Sequence, residues 1–227
     1  MPFEKQQLIL ILIMYYTCFL FSIVFHELAH GYTALFFGDD TAKKSGRLSF
    51  NPVKHLSFWG TLIFIVTKKI GWAKPVPVNP AKLGIRKLAV VALAGPLCNV
   101  FLAVLSSAAV FVFYLLAQYR VIHVEFSIHN VYFWIIYPLI IFVETNIILA
   151  LFNIIPVPPL DGGRILLGII SLWKGKNYFK IEKMLKTDLM GFIFFIFLIY
   201  EGTLMKLFNY YNSKLFSIFM FFLSGGK

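Results

Sequence analysis

The sequence predicts an all-α, polytopic membrane protein, a bundle of about four spanning helices with re-entrant or interfacial segments between and after them. Three observations predict it. Hydrophobic residues make up 59% of the 227 positions and charged residues only 14%, whereas about half of an ordinary globular chain is apolar. Leu8 to Phe25 carries no charge, nor does the run between Lys87 and Arg120; both reach the roughly 18 apolar residues that mark a spanning helix. Finally, the basic residues fall in alternate connections, as in a chain threaded through a bilayer.

The first span is read as Leu8–Phe37. It continues without a small-residue cleavage site into His26-Glu27-Leu28-Ala29-His30, so it is a retained helix and not a signal peptide. Leu56–Thr67, with 12 residues, is too short to span and reads as re-entrant or interfacial. Leu88–Ala117 and Val131–Asn153 are the second and third spans, and Leu189–Met205 is the fourth. The last apolar run, Leu215–Ser224, is again short and is expected in the interface or packed on the bundle. With no repeat, low-complexity tract or composition break, residues 1–227 are expected to form one membrane domain, without a PDZ-like or CBS-like appendage.

Ten Lys and Arg residues lie between Gly38 and Lys87, and six more between Arg164 and Lys186. The connection after the second span has only Arg120, balanced by Glu125. Four spans with an external N-terminus place both basic stretches in the cytoplasm. The net charge of +11 therefore suits anionic lipid headgroups, not nucleic acid. Cys18 and Cys98 both fall in apolar helices, leaving no disulfide framework and no Cys-rich metal pattern.

His26 and His30 are four apart, one above the other on a helical face. Two imidazoles at that spacing can grip a Zn²⁺, with Glu27 beside them to act on a water. Packing polar residues against another helix would be the plain alternative. Ionisable groups in the membrane cost about 2.5–3.5 kcal/mol or more each, however, and a metal supplies the compensation. Catalytic zinc usually takes three protein ligands. Asp161 is the candidate for the third, because Pro156, Pro158 and Pro159 break the chain just before it and irregular backbone at membrane depth must line protein or a cavity. At helical rise His30 lies roughly 12 Å from Gly38, and Asp161 at most roughly 20 Å from Lys174. Both are submerged from the same side, so one Zn²⁺ per chain can be shared.

These stretches carry a family resemblance. Phe25-His26-Glu27-Leu28-Ala29-His30-Gly31, Ala94-Gly95-Pro96-Leu97-Cys98-Asn99 and Asn153 through Asp161-Gly162 resemble the site-2 protease family of intramembrane zinc metallopeptidases, peptidase family M50, in its compact bacterial branch. Gly46-Arg47-Leu48, Asn51-Pro52 and Gly71 through Pro80 match that branch too. The resemblance implies that His26, His30 and Asp161 bind zinc, that Glu27 is the general base, and that Asn153 supports the substrate or the developing oxyanion. Asn99 matches the family's second helix motif, read as packing first and site support second. Asn146 has two readings, a longer polar lining or a helix–helix hydrogen bond. Two departures stand out: Leu56–Thr67 is abbreviated, and Ser57-Phe58-Trp59 replaces the Asp-Pro pair that commonly follows the His at position 55.

The expected activity is hydrolysis of peptide bonds within or near transmembrane segments of protein substrates, at the cytoplasmic side of the cell membrane. Lys74–Pro80, with alternating prolines, offers an extended edge to an unwound substrate. A metal or proton transporter is the rival, using Glu144 and Glu201 as relay groups, but the chain shows neither related halves nor paired broken helices. An inactive scaffold is a third reading, opposed by the intact ligands and base. His123 and His129 are expected to be solvated.

Overall fold

The computed structural model describes residues 3–67, 74–119, 121–122 and 131–174, with isolated positions at 202, 206 and 210. Among them the secondary structure is helical: α1 (Phe3–Phe36), α2 (Thr41–Lys44), a 3₁₀ turn (Pro52–His55), α3 (Phe58–Thr67), α4 (Pro80–Gln118), α5 (Phe133–Asn153) and α6 (Asp161–Lys174). Three helices are long and apolar enough to cross a membrane, over Ile9–Phe36, Pro80–Gln118 and Phe133–Asn153. The protein is a multi-pass membrane protein. The expected fourth span, Leu189–Met205, the run Leu215–Ser224, and His123, His129 and Glu201 lie outside the described residues.

The 21 residues of α5 extend about 31 Å at helical rise, one hydrocarbon thickness. In contrast α3, with 10 residues, covers only about 15 Å and cannot cross, as its sequence required. The second long helix, α4, begins earlier than its apolar run. Lys82, Arg86 and Lys87 read as loop, but Asn79 caps the helix by accepting a hydrogen bond from Ala81 N–H at 3.0 Å, with Pro80 in the first turn. These two residue types favour those two positions. A kink follows at Gly84, whose φ of 66° is left-handed backbone that glycine adopts at little cost. Past the kink the helix continues through the apolar run to Gln118.

Helix α4 is the centre of the bundle, packing against α1, α5 and α6, while α1 also meets α5. Three positions one turn apart on α4, Val91, Gly95 and Asn99, face His30 and His26 of α1 in antiparallel order. Gly95 allows that approach: a Cβ there would run into the imidazoles of both histidines. Beyond the membrane end of α1, Asp39 is fully buried and ties three segments together. Its carboxylate accepts from Thr41 N–H (3.1 Å) and Thr41 hydroxyl (2.5 Å) at the start of α2, and from Asn79 N–H (2.6 Å) before α4.

Candidate active site

His26 and His30 lie on one face of α1 and are 6% and 8% exposed. Each ring is oriented from behind. His30 Nδ1 lies 2.7 Å from the Val91 carbonyl oxygen, which can only accept, so that nitrogen carries a proton, and in the neutral ring Nε2 is bare. His26 Nδ1 lies 2.6 Å from Asn99 Oδ1, again an acceptor, which leaves its Nε2 bare as well. The two Nε2 atoms are 3.0 Å apart. With both protons on Nδ1, this separation is a meeting of lone pairs, not a hydrogen bond.

The third member comes from the far end of α5. The loop from Ile154 to Leu160 is held by short turns, Val157 N–H to Ile155 O (2.8 Å) and Leu160 N–H to Val157 O (3.0 Å). Proline at 156, 158 and 159 prevents α5 from continuing. The chain restarts at Asp161, the first residue of α6, where the helix dipole favours a carboxylate. Asp161 Oδ2 lies 3.2 Å from each histidine Nε2. It is buried and has no hydrogen-bond partner; with both rings neutral, neither nitrogen facing it has a proton to give.

Three buried acceptor atoms thus converge with nothing protic between them. An orphaned buried carboxylate oxygen is costly, and only a cation could satisfy all three at once. The ligand atoms fit one: all lie within 4.8 Å of one another, and atoms placed about 2.0–2.1 Å from a shared zinc in a tetrahedron would be about 3.3 Å apart. Gly95 keeps the space beside the rings free of a side chain. Two imidazoles and one carboxylate are a donor set that suits zinc.

Glu27 is turned toward the segment Lys74–Asn79. Its Oε2 accepts a 2.6 Å hydrogen bond from Val76 N–H. This strap is pinned along its length: Lys74 N–H donates to His55 O (2.8 Å) and the Arg47 guanidinium to Lys74 O (2.6 Å). Asn79 N–H goes to Asp39 at the other end. Val76 is buried, and its Cγ1 faces Gly31, one residue past His30. His55 is buried too, its Nε2 on the Ser49 carbonyl (2.8 Å), so it belongs to the strap's anchorage and not to the metal cluster.

Other expected site residues sit differently. Asn153, the last residue of α5, is half-buried and gives its amide N–H to its own helix at Leu149 O (2.9 Å). Asn99 is in direct contact with His26. Asn146 makes helix–helix hydrogen bonds to Asn99 and Ser22, the second of its two readings. Sequence reasoning passed over Ser22, although it lies one turn before His26 on the same face. The Val91 carbonyl, being backbone, left no signal in residue type.

Comparison with known proteins agrees with this geometry. A Bacillus subtilis (strain 168) protein provisionally named zinc metalloprotease YwhC is 39% identical over 183 residues, covering 78% of this chain and 75% of that protein. A Mycolicibacterium smegmatis protein, provisionally zinc metalloprotease Rip2, is 30% identical over 148 residues, 63% of this chain and 52% of its own length, so the match takes in about half of that relative. No solved structure gives a significant match. The sequence model of peptidase family M50 matches residues 14–198. On that match and the close relative, the chain belongs to peptidase family M50 and is a zinc-dependent metalloprotease.

Proposed function

We propose that this protein is an intramembrane zinc metalloprotease that cuts peptide bonds within or near transmembrane segments of other proteins. One observation carries the reading: two bare imidazole nitrogens and a donor-less carboxylate converge among membrane-spanning helices. His26, His30 and Asp161 are assigned as ligands of one zinc ion per chain. When bound, zinc polarises a scissile carbonyl and lowers the pKa of a water toward about 7.

Glu27 is the general base. It takes a proton from water as the water oxygen bonds to the carbonyl carbon, and returns it to the amine nitrogen as the C–N bond breaks. The Val76 N–H holds one oxygen of that carboxylate and so fixes its direction. Asn153 is assigned to the substrate or the developing oxyanion, which requires its amide to let go of Leu149 O. The strap from Lys74 to Asn79 offers extended backbone to an unwound substrate; replacing Val76 and Val78 by proline should cut cleavage and leave zinc bound, and undiminished cleavage would remove the strap from the mechanism. A fourth span at Leu189–Met205, an external N-terminus, a cytoplasmic-side active site and a single domain complete the reading.

The deciding experiment purifies wild type and Glu27→Gln in detergent, quantifies zinc, and follows cleavage of tagged single-pass helices by mass spectrometry. Zinc at one per chain in both, with cleavage lost only in the variant, is the expected result; loss of a general base costs roughly 10²–10⁴-fold. A wild type that moves metal across vesicles and cuts nothing would replace the protease with a transporter.

A further inference from the structure

Behind His26 runs a chain of buried side chains that the catalytic steps do not use. Asn99, Asn146 and Ser22 come from three different helices or turns of helix and are each 0% exposed. Asn99 Nδ2 donates to Asn146 Oδ1 at 2.9 Å, and Asn146 Nδ2 donates to Ser22 Oγ at 2.9 Å and to the Phe142 carbonyl at 2.8 Å. An asparagine amide has one accepting and one donating end. In principle such a chain could therefore run in either sense.

The Phe142 carbonyl removes that freedom. It has no proton, so the end of Asn146 that faces it must be the NH₂. The other end, Oδ1, must then face Asn99, which has to answer with its own NH₂. Asn99 is left presenting Oδ1 to His26, and only a protonated Nδ1 can meet it. From this polarity we infer that Asn99 and Asn146 are positioning residues for the metal: they form a relay that carries the sense of one backbone carbonyl on α5 to the ring of His26 and fixes the tautomer with a bare Nε2.

The two histidines are thus set by different means. For His30 the acceptor is backbone, the Val91 carbonyl, which no substitution removes. For His26 it is a side chain held by another side chain, so the metal affinity of this chain is adjustable at positions that never touch the metal. The effect should fall with distance along the relay. Losing Asn99 removes the acceptor itself; losing Asn146 lets the Asn99 amide turn over; losing Ser22 leaves Phe142 O still dictating the sense. Partners of ligand histidines typically weigh about 10–100-fold in metal affinity.

This inference rests on the zinc reading, and its test separates the two. The full chain in detergent is titrated with Zn²⁺ against a chromophoric chelator and with Co²⁺ by visible absorption, with circular dichroism as the control on folding. Asn99→Leu should weaken Zn²⁺ roughly 10–100-fold and alter the Co²⁺ bands, Asn146→Leu should weaken it less, and Ser22→Ala least. Because Asn146 acts only through Asn99, the Asn99→Leu/Asn146→Leu double variant should bind no worse than Asn99→Leu alone. Wild-type affinity in a folded Asn146→Leu protein, or losses that multiply in the double variant, would overturn the relay while leaving zinc binding intact. If wild type takes up no Zn²⁺, or His26→Ala binds it unchanged, the metal centre itself fails and the relay falls with it.

Discussion

Two buried carboxylates in this protein are treated in opposite ways. Asp39, just past the end of α1, is saturated. Its oxygens accept from Thr41 N–H, the Thr41 hydroxyl and Asn79 N–H, and Lys82 Nζ lies 3.8 Å away. Asp161, the first residue of α6, has an oxygen with no hydrogen-bond partner, facing two imidazole nitrogens that in the neutral rings are equally short of protons. Burial is the same in kind, so burial does not distinguish a ligand from a structural acid. Donor supply does: the protein satisfies Asp39 from its own backbone and the Thr41 hydroxyl, and leaves Asp161 to be satisfied by something that is not protein.

Substitution should break the two sites differently, and the larger effect belongs to Asp161. Asp161→Asn keeps shape and size but withdraws the negative charge from the cluster. Zinc content should fall from one per chain toward zero and cleavage should vanish, while helicity stays as in wild type. If Asp161→Asn retained stoichiometric zinc, the contrast between the two carboxylates would lose its meaning. Asp39→Asn is expected to do the reverse. An NH₂ must now meet the N–H of either Thr41 or Asn79, a donor against a donor, at a cost of about 1–3 kcal/mol. The apparent melting temperature in detergent should drop by several degrees, with zinc content unchanged.

Much of the Asp161 site was legible in the sequence because it depends on short-range geometry. The four-residue interval between His26 and His30 fixes their common face, and three prolines before Asp161 mark where the helix must break. The polar support was less legible. Asn99 and Asn146 lie on different helices, so nothing in the order of residues says that they touch. Ser22 was within reach of reasoning, one turn from His26, and was missed because a lone serine in an apolar run is unremarkable. The Asp39 clamp stayed hidden for a related reason: one of its partners is the N–H of Asn79, a backbone group 40 positions away. Likewise the start of α4 at Pro80 was obscured by Lys82, Arg86 and Lys87, whose charges mimic a loop although Asn79 and Pro80 spell a helix start. Asn153 was reached by its motif alone, and here its amide is returned to Leu149 O.

Acid sharpens the comparison further. Burial alone would raise the Asp39 pKa, but the hydrogen bonds from Asn79 and Thr41, together with the Lys82 charge, outweigh it and hold the carboxyl below its ordinary value. A depressed folded-state pKa stabilises the native protein, fully so above the unfolded-chain value of about 3.9. That contribution is lost as pH falls through the folded value. Wild type should therefore lose stability below about pH 4 more steeply than Asp39→Asn, which has no carboxyl to titrate there. Parallel acid-melting curves for the two proteins would show that Asp39 is not an electrostatic contributor.

The smallest effect is expected one residue along. Asp40 faces Lys44 at 2.6 Å and Lys82 at 2.5 Å, and those contacts hold its carboxyl well below the usual carboxylate range. By ion-pair distance alone it would rank as the strongest electrostatic feature among the described residues. Yet its partners are flexible lysines, with the Lys44 side chain 75% exposed, and water and salt screen such pairs until little net stability remains. Asp40→Ala should leave the melting temperature, the zinc content and cleavage where they were. A loss at Asp40 as large as at Asp39 would mean that contact distance, and not the absence of water around a saturated carboxylate, governs stability at this end of the bundle.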